Sequence, residues 1–100
     1  MGWKVKLLSE AVKDFAKIEG SVRKMVLKQL VKLETNPLYG DALGHRAGID
    51  LTGYFKLYAD NKRIRIVYRV VGSEIQVIAI DKREDMDVYK MAFQRIQTMK

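Results

Sequence analysis

Three arginines alternate with apolar residues in the segment KRIRIVYRV, residues 62–70. Arg63, Arg65 and Arg69 fall on one side of an extended chain, while the even-numbered residues of the segment from 64 onward are apolar or aromatic. This period of two predicts a strand with one face in the core. A guanidinium group presents a rigid fork of donors that matches phosphate, so the arginine side predicts chemistry on an anion.

A second predicted strand, YFKLYA at 54–59, comes just before the arginine segment. With a two-residue hairpin turn at 60–61, Lys56 lies directly opposite Arg65. A register shift of two residues would keep the same faces, so the face that each side chain takes is the firm part of this prediction. Two cations directly across a ladder destabilise it. The pairing therefore indicates that something anionic covers this face.

Tyrosines flank the lysine of this strand, at Tyr54 and Tyr58, and the same register places Tyr58 opposite Arg63. Cations interleaved with aromatic rings suit RNA, because phosphates need charge and unstacked bases need a flat surface. Lys56 with its two tyrosines therefore favours RNA binding. Arg63 and Arg69 alone are more typical of a charged sheet face that keeps a protein from aggregating.

A second hairpin is predicted where Gly-Ser at 72–73 joins the arginine strand to EIQVIAI. A two-residue turn there places Val67 opposite Ile78 and Arg65 opposite Ile80. The arginine face is then partly apolar, which predicts a groove floor or a surface that a partner covers.

The segment IDKREDMDVYKMA, residues 80–92, adds further candidates after the last predicted strand. Lys82 and Arg83 come just past the sheet, and Tyr89 lies in the first turns of a helix. Arg83 can reach the same end of the sheet as Arg65. Taken alone, each of these residues is an ordinary surface or half-buried residue.

The elements that must position these residues follow from hydrophobic periodicity and turn signals. We predict a single domain over residues 1–100, of the α+β class, with a mainly antiparallel four-stranded sheet in the order βααβββα. Two N-terminal helices pack on the sheet and one helix ends the chain. Residues 36–53 hold Pro37 and four glycines and are predicted to be a long loop. The predicted strands are 3–8, 54–59, 63–71 and 74–80, and the helices are 10–18, 22–35 and about 86 to the end.

The composition limits the classes of function. The chain carries 19 Lys and Arg against 12 Asp and Glu, a formal net charge of +7, which favours an anionic partner. It has no cysteine, which excludes disulfides, thiolate metal sites and a cysteine nucleophile. Charges interrupt the apolar runs near the start, so we expect no signal peptide, no membrane span and a cytoplasmic protein. His45 is the single histidine, and no metal-ligand spacing appears.

The motifs together resemble the RelE/ParE superfamily of small bacterial toxins. GYFKLY, RIVY and IDKREDMDVYKMA carry the similarity, with the opening WKV and SEAVKDFAKI and the βααβββα order. It spans nearly the whole chain and is closer to the RelE-type toxins. This resemblance implies a ribonuclease that cuts messenger RNA in the ribosomal A site without metal or small-molecule cofactor, with ribosome, messenger RNA and a cognate antitoxin as partners.

The resemblance also implies site residues. The positions that match the catalytic residues of RelE-type toxins are Lys56, Arg65, Arg83 and Tyr89. The sequence departs from the RelE pattern at Tyr54, where those toxins carry a second lysine, and at Tyr58, where they carry an arginine. The residues that we predict to contact RNA around the catalytic set are Tyr54, Tyr58, Arg63 and Lys82.

Metal-free RNA cleavage needs a base for the 2′-hydroxyl, stabilisation of the phosphorane charge and a proton for the 5′-oxygen. Lys56 is the candidate base, because the like charges of Arg65 and Arg83 would favour its neutral form. The arginines can clamp the phosphate, Arg83 can pass a proton to the leaving oxygen, and Tyr89 can stack on a base or orient the backbone.

Two other functions remain open for this fold. A ParE-type toxin inhibits DNA gyrase and needs no nuclease groups, and a nuclease-inactive binding module or co-repressor needs only the basic surface. Arg83 with Tyr89 favours the nuclease, whereas Tyr54 in place of a lysine favours the other two.

Overall fold

Among the residues that the structure describes, three helices flank one sheet in an α+β fold. The computed structural model describes residues 2–46, 48–82 and 87–98. The sheet runs in the order β1-β5-β4-β3-β2, with β1 parallel to β5 and each other pair antiparallel. The elements are β1 Lys4–Leu7, α1 Ser9–Lys17, α2 Gly20–Leu33, β2 Asp41–Arg46, β3 Ile49–Ala59, β4 Ile64–Val71, β5 Glu74–Lys82 and α3 Asp87–Thr98.

The predicted fold class and the three helices are confirmed, but the long loop predicted at 36–53 is wrong. That segment holds β2 and the first residues of β3, so the sheet has five strands where we predicted four. The register of β2 shifts between Ala42 and Gly44, and Gly44 has a φ of 63°. Glycine tolerates that conformation, which a bulge needs, and so a glycine read as a loop signal belongs to a bent strand.

Each face of the sheet carries its own core. α1 and α2 cover one face, and α3 covers the other. The α1–α2 core is made of Ala11, Val26, Leu30, Leu33, Leu57, Ala59, Ile64, Ile66, Tyr68, Ile75, Val77 and Ile80. The α3 core is made of Leu43, Leu51, Val67, Ile78, Ala79, Val88, Tyr89, Ala92 and Ile96.

The hairpin of β3 and β4 keeps its predicted faces and changes its register. Tyr58 lies opposite Arg65, and Lys56 lies opposite Val67, so the predicted direct pairing of Lys56 with Arg65 is wrong. The turn is longer than two residues, because positive φ continues from Asp60 through Lys62. Aspartate and asparagine adopt this left-handed conformation at low cost, which allows the longer turn.

A bulge in β5 changes the second hairpin. Tyr68 lies opposite Val77 as expected from the Gly-Ser turn, but Val67 lies opposite Ala79, so Ile78 is the extra residue. Beyond the bulge, Arg65 faces Asp81 and not Ile80. Ile80 turns to the α1–α2 core, so its predicted place on the arginine face is wrong. The bulge exchanges an apolar neighbour of Arg65 for a carboxylate.

The segment between α2 and β2 is tied to the sheet by one buried hydroxyl. Tyr68 Oη donates to the carbonyl of Pro37 at 2.9 Å and accepts from the N–H of Gly40 at 2.9 Å. Gly40 packs directly against the carbonyl of Lys56 in β3. The tie therefore holds the connecting segment beside the strand that carries Lys56.

None of the helices in the described part of the chain is long and apolar enough to cross a membrane.

Candidate active site

Cations and tyrosine rings meet at one end of the sheet, on the face that α3 covers. We call this group the cation–tyrosine cluster and define it as Lys56, Tyr58, Lys62, Arg65 and Tyr89. β3 supplies the first two residues, the β3–β4 turn supplies Lys62, β4 supplies Arg65 and α3 supplies Tyr89.

Arg65 lies at the centre of the cluster between two aromatic rings. Its Cζ is 4.9 Å from the ring centroid of Tyr89 and 5.9 Å from that of Tyr58. Arg65 is only 9% exposed, and Tyr89 is 2% exposed. Burial of a charge is costly unless other groups compensate. The two ring faces offer part of that compensation, and Asp81 lies opposite Arg65 on the neighbouring strand.

Tyr58 gathers cations around a single ring. Lys56 Nζ donates to the Tyr58 hydroxyl at 3.1 Å and lies 5.1 Å from the ring centroid. Lys62 Nζ lies 5.7 Å from the same centroid, and Arg65 completes the set. Like charges this close repel one another. A bound anion would attract all three cations and offset their mutual repulsion, so the arrangement is suited to a phosphate.

Tyr54 is not part of the cluster, although it was predicted to be an RNA contact beside Lys56. Its hydroxyl accepts from Arg69 Nη1 at 3.2 Å, and Arg69 Nε donates to Gln76 Oε1 at 2.8 Å. Tyr54 thus belongs to a polar row across β3, β4 and β5, next to the row that carries Lys56.

The predicted RNA contacts Arg63 and Lys82 line a cleft beside the β3–β4 turn. Arg63 is exposed at the end of the turn, and Lys82 is exposed opposite Ile64 at the end of β5. With Lys62 they line a cleft of about 850 Å³ between this turn, the α1–α2 connection and the end of β5. Arg83 lies outside the described residues, so its place beside Arg65 stays a prediction.

Sequence reasoning assigned no role to Lys62 or Asp81. Lys62 was expected between the two-residue turn and the arginine strand, whereas it is the last left-handed residue of a longer turn. Asp81 was not recognised because the bulge that brings it opposite Arg65 carries no glycine or proline to mark it. The dipeptide KR at 62–63 was the available signal for a cation at this turn.

His45 lies in β2 and not in a loop. Its Nδ1 is 3.7 Å from Oδ1 of Asp50, and both side chains are exposed. Hydrogen bonds from the hydroxyl and the backbone N–H of Thr52 lower the pKa of Asp50. Within residues 2–46, 48–82 and 87–98 no group of three or more histidine, cysteine, aspartate or glutamate side chains could hold a metal ion.

Comparison with known sequences shows similarity to a curated toxin. A RelE-like toxin protein of Escherichia coli is 30% identical over 102 residues, which span 97% of this chain and 100% of the relative. No family model matches the sequence.

Solved toxin structures share the fold. A free E. coli RelE with two arginine-to-alanine substitutions is 26% identical with a TM-score of 0.77, covering 96% of this chain and 99% of RelE. The same mutant bound to an antitoxin RelBc peptide is 25% identical with a TM-score of 0.70, and the match covers 92% of this chain and 95% of the mutant RelE. A chain of the chromosomal ParDE system of P. aeruginosa is 19% identical with a TM-score of 0.63, and the match covers 82% of this chain and 97% of that one. This similarity shows the shared fold alone.

Proposed function

The chain belongs to the RelE-like toxins of the RelE/ParE superfamily, and we propose from this that it cleaves messenger RNA in the ribosomal A site without a metal ion. The observation that carries the proposal is the position of Arg65, which is nearly buried between the rings of Tyr58 and Tyr89. Lys56 lies over the ring of Tyr58 as well. A gyrase inhibitor needs no such centre.

In the proposed reaction the 2′-oxygen attacks the adjacent phosphorus and the bond to the 5′-oxygen breaks. Lys56 acts as the base that takes the 2′-hydroxyl proton, and its hydrogen bond to Tyr58 orients the Nζ atom. Arg65 stabilises the charge that develops on the phosphorane oxygens, in a site with little water. Arg83 contributes a second guanidinium and passes a proton to the 5′-oxygen.

Tyr89 has a supporting part in this proposal. It is 2% exposed and its ring already contacts Arg65, so in this conformation it positions the arginine and does not stack on a base. The exposed fraction of Tyr58 is larger, which leaves that ring for contact with RNA.

Lysine and arginine are weak acid–base groups for this reaction, so the domain alone would be slow. The ribosome can supply what is missing by holding the messenger with the 2′-oxygen in line for attack. This requirement supports dependence on a translating ribosome, and with it a place in the cytoplasm.

We propose a protein antitoxin as the second partner, as in the solved complexes of RelE. A net charge of +7 favours an acidic one. We predicted that it covers either Val67, Ile78 and Ile80 or the last helix. Val67 and Ile78 are at most 1% exposed beneath α3, and Ile80 faces the opposite core. Of these two alternatives we therefore propose the last helix, α3, which the antitoxin binds or displaces.

Primer extension on cellular messages after induction tests the proposed cleavage. In-frame cuts within translated messages are expected, and they should vanish in Arg65→Ala and persist in Lys28→Ala, an exposed lysine of α2. Intact messages with an SOS response would show a ParE-like action on gyrase. Intact messages without that response would leave a binding module or co-repressor.

A further inference from the structure

A nearly buried ion pair joins the first helix to the last. Arg95 of α3 donates to both carboxylate oxygens of Asp14 in α1, at 2.6 Å from Nη1 and 3.0 Å from Nη2. The Arg95 and Asp14 side chains are 17% and 10% exposed. A two-pronged contact of this kind fixes orientation as well as distance.

The same pair binds the backbone of β5 at its bulge. The N–H of Ile80 donates to Asp14 Oδ2 at 3.0 Å, and Arg95 Nη1 donates to the carbonyl of Ile78 at 2.9 Å. A bulge disrupts the local ladder, and buried backbone groups need other partners there. The pair therefore stabilises the bulge that places Asp81 opposite Arg65.

The contact at Arg95 also bears on the position of Tyr89. The two residues lie on one helix, less than two turns and about 9 Å apart along its axis. α3 rests on the sheet through an apolar stripe of Val88, Tyr89, Ala92 and Ile96, with Met91 and Phe93 packed beside it. Apolar contacts are not directional, so a stripe of this kind sets the rotation and register of a helix less strictly than a bidentate ion pair.

We propose that Asp14 and Arg95 are positioning residues, which hold α3 in the register that keeps the Tyr89 ring against Arg65. Neither residue belongs to the cation–tyrosine cluster. Their part in cleavage rests on the proposed function, whereas their control of α3 does not.

The test compares wild type with Asp14→Asn, in which an amide replaces the carboxylate at equal size. Hydrogen exchange of the free protein should show the α3 amides losing protection by about tenfold or more, with α2 unchanged. In protein labelled with 3-fluorotyrosine, the fluorine resonance of Tyr89, assigned with Tyr89→Phe, should move as it does in Arg65→Lys. On programmed ribosomes, kcat should fall by about tenfold while KM stays within about twofold.

Glu10→Gln is the matched control. It removes a carboxylate from the same helix, but the pair of Glu10 with Lys13 is exposed, with side chains 51% and 68% accessible. We expect α3 protection, the Tyr89 resonance and kcat to remain at wild-type values.

Arg95→Lys and Arg95→Ala extend the test from the other partner. Lysine keeps the positive charge but lacks the two-pronged guanidinium group, so Arg95→Lys should recover part of the α3 protection and part of the kcat that Arg95→Ala loses. If Asp14→Asn does not fold, the comparison of Arg95→Lys with Arg95→Ala decides whether the ion pair positions α3.

The proposal is overturned if α3 protection and the Tyr89 resonance are unchanged, or if α2 and α3 lose protection together, as in a loss of global stability. A wild-type chain that cuts no message would overturn the proposed function while the exchange and fluorine measurements still decide the positioning.

Discussion

Arg65 shows why this site needs arginine in particular. It is 9% exposed and lies between two tyrosine rings, on which a planar guanidinium stacks with its edge left to donate. A lysine ammonium is a strongly hydrated point charge, so the same burial would cost it more and give it no planar contact.

We therefore expect Arg65→Lys to lose most of its cleavage activity while remaining folded. A charge-assisted contact to phosphate contributes roughly 1.5 to 3 kcal/mol, which corresponds to about a ten- to hundred-fold fall in rate. Cleavage of ribosome-bound message and urea unfolding together measure this. Wild-type activity in the folded variant would mean that charge alone suffices at this position.

Arg83 carries the strongest expectation from the family resemblance. Its loss should remove transition-state stabilisation of about 3 to 4 kcal/mol, or about a hundred- to a thousand-fold in rate, by comparison with the loss of one oxyanion donor. Arg83→Ala should therefore abolish toxicity while the protein still co-sediments with ribosomes. Arg83→Lys should restore little, because a point charge does not copy the fork.

Lys28→Ala is the control for Arg83→Ala, since it removes one exposed positive charge from α2. It should change toxicity very little. If Arg83→Ala stays fully toxic while Lys28→Ala does not, the active site is misplaced and the lysines of α2 form the functional surface.

At the scale of elements, the contact of Gly40 with β3 holds the segment after α2 in place. A Cβ on Gly40 would collide with the carbonyl of Lys56 and stand 2.8 Å from Tyr68 Oη. Gly40→Ala should therefore lower the free energy of unfolding by about 1 to 3 kcal/mol, measured in urea.

Gly20→Ala is the matched control for that substitution. The nearest neighbour of its new Cβ is the end of the Arg23 side chain at 3.6 Å, and the residue begins α2. Its unfolding free energy should stay equal or rise by up to about 1 kcal/mol. Equal losses in both variants would show that Gly40 has no special packing role.

Tyr68 gives this tie a dependence on pH. Burial raises the pKa of Tyr68 above its ordinary value of 10, although the hydrogen bond from Gly40 acts in the opposite direction and the charge of Asp41 adds to the rise. The folded state then holds the proton more tightly than the unfolded chain. The contribution to stability is complete below pH 10 and is lost as pH rises through the folded pKa.

Tyr68→Phe should be less stable than wild type below pH 10 by about 1 to 3 kcal/mol, because Pro37 and Gly40 lose their partner. The difference should shrink as pH increases above 10. Urea unfolding of both proteins between pH 8 and about pH 11 measures it, and a difference that does not vary with pH would contradict the assignment.

At the scale of the molecule, the charge and the placement of α3 determine what can bind. The net charge of +7 favours an anionic partner, while α3 covers the apolar centre of the sheet face beside the cluster. Any antitoxin that binds this face therefore meets α3 before it meets the sheet.

Expression without an antitoxin should arrest growth, and co-expression of the acidic partner should relieve the arrest. Hydrogen exchange of the purified pair should show changed protection in α3, either higher if the partner binds over it or lower if the partner displaces it. Harmless high-level expression of folded protein would contradict the toxin function, and an α3 unaffected by the partner would contradict this binding site.

Much of the candidate site was predictable from local patterns. The alternation in β3 and β4 predicted that Lys56, Tyr58 and Arg65 share one face, since side-chain parity is a property of each strand. Tyr89 and Arg83 were first noted in the segment after the last predicted strand, and their catalytic roles came only from the family resemblance. The hydrogen bond of Tyr54 with Arg69 was not predicted, because it depends on the register and not on parity alone. Contact of Tyr54 with RNA stays a prediction.

The sequence by itself determined the α+β class, the three helices, the basic charge and the faces of the central strands, because periodicity and turn residues act over a few neighbours. Only the tertiary structure decided the fifth strand, the hairpin registers, the bulge at Ile78 and the contact of Tyr89 with Arg65. Those features depend on residues far apart in the chain, such as Asp14 and Arg95. The contacts that stabilise these features form only when the elements pack together, so no local sequence pattern predicts them.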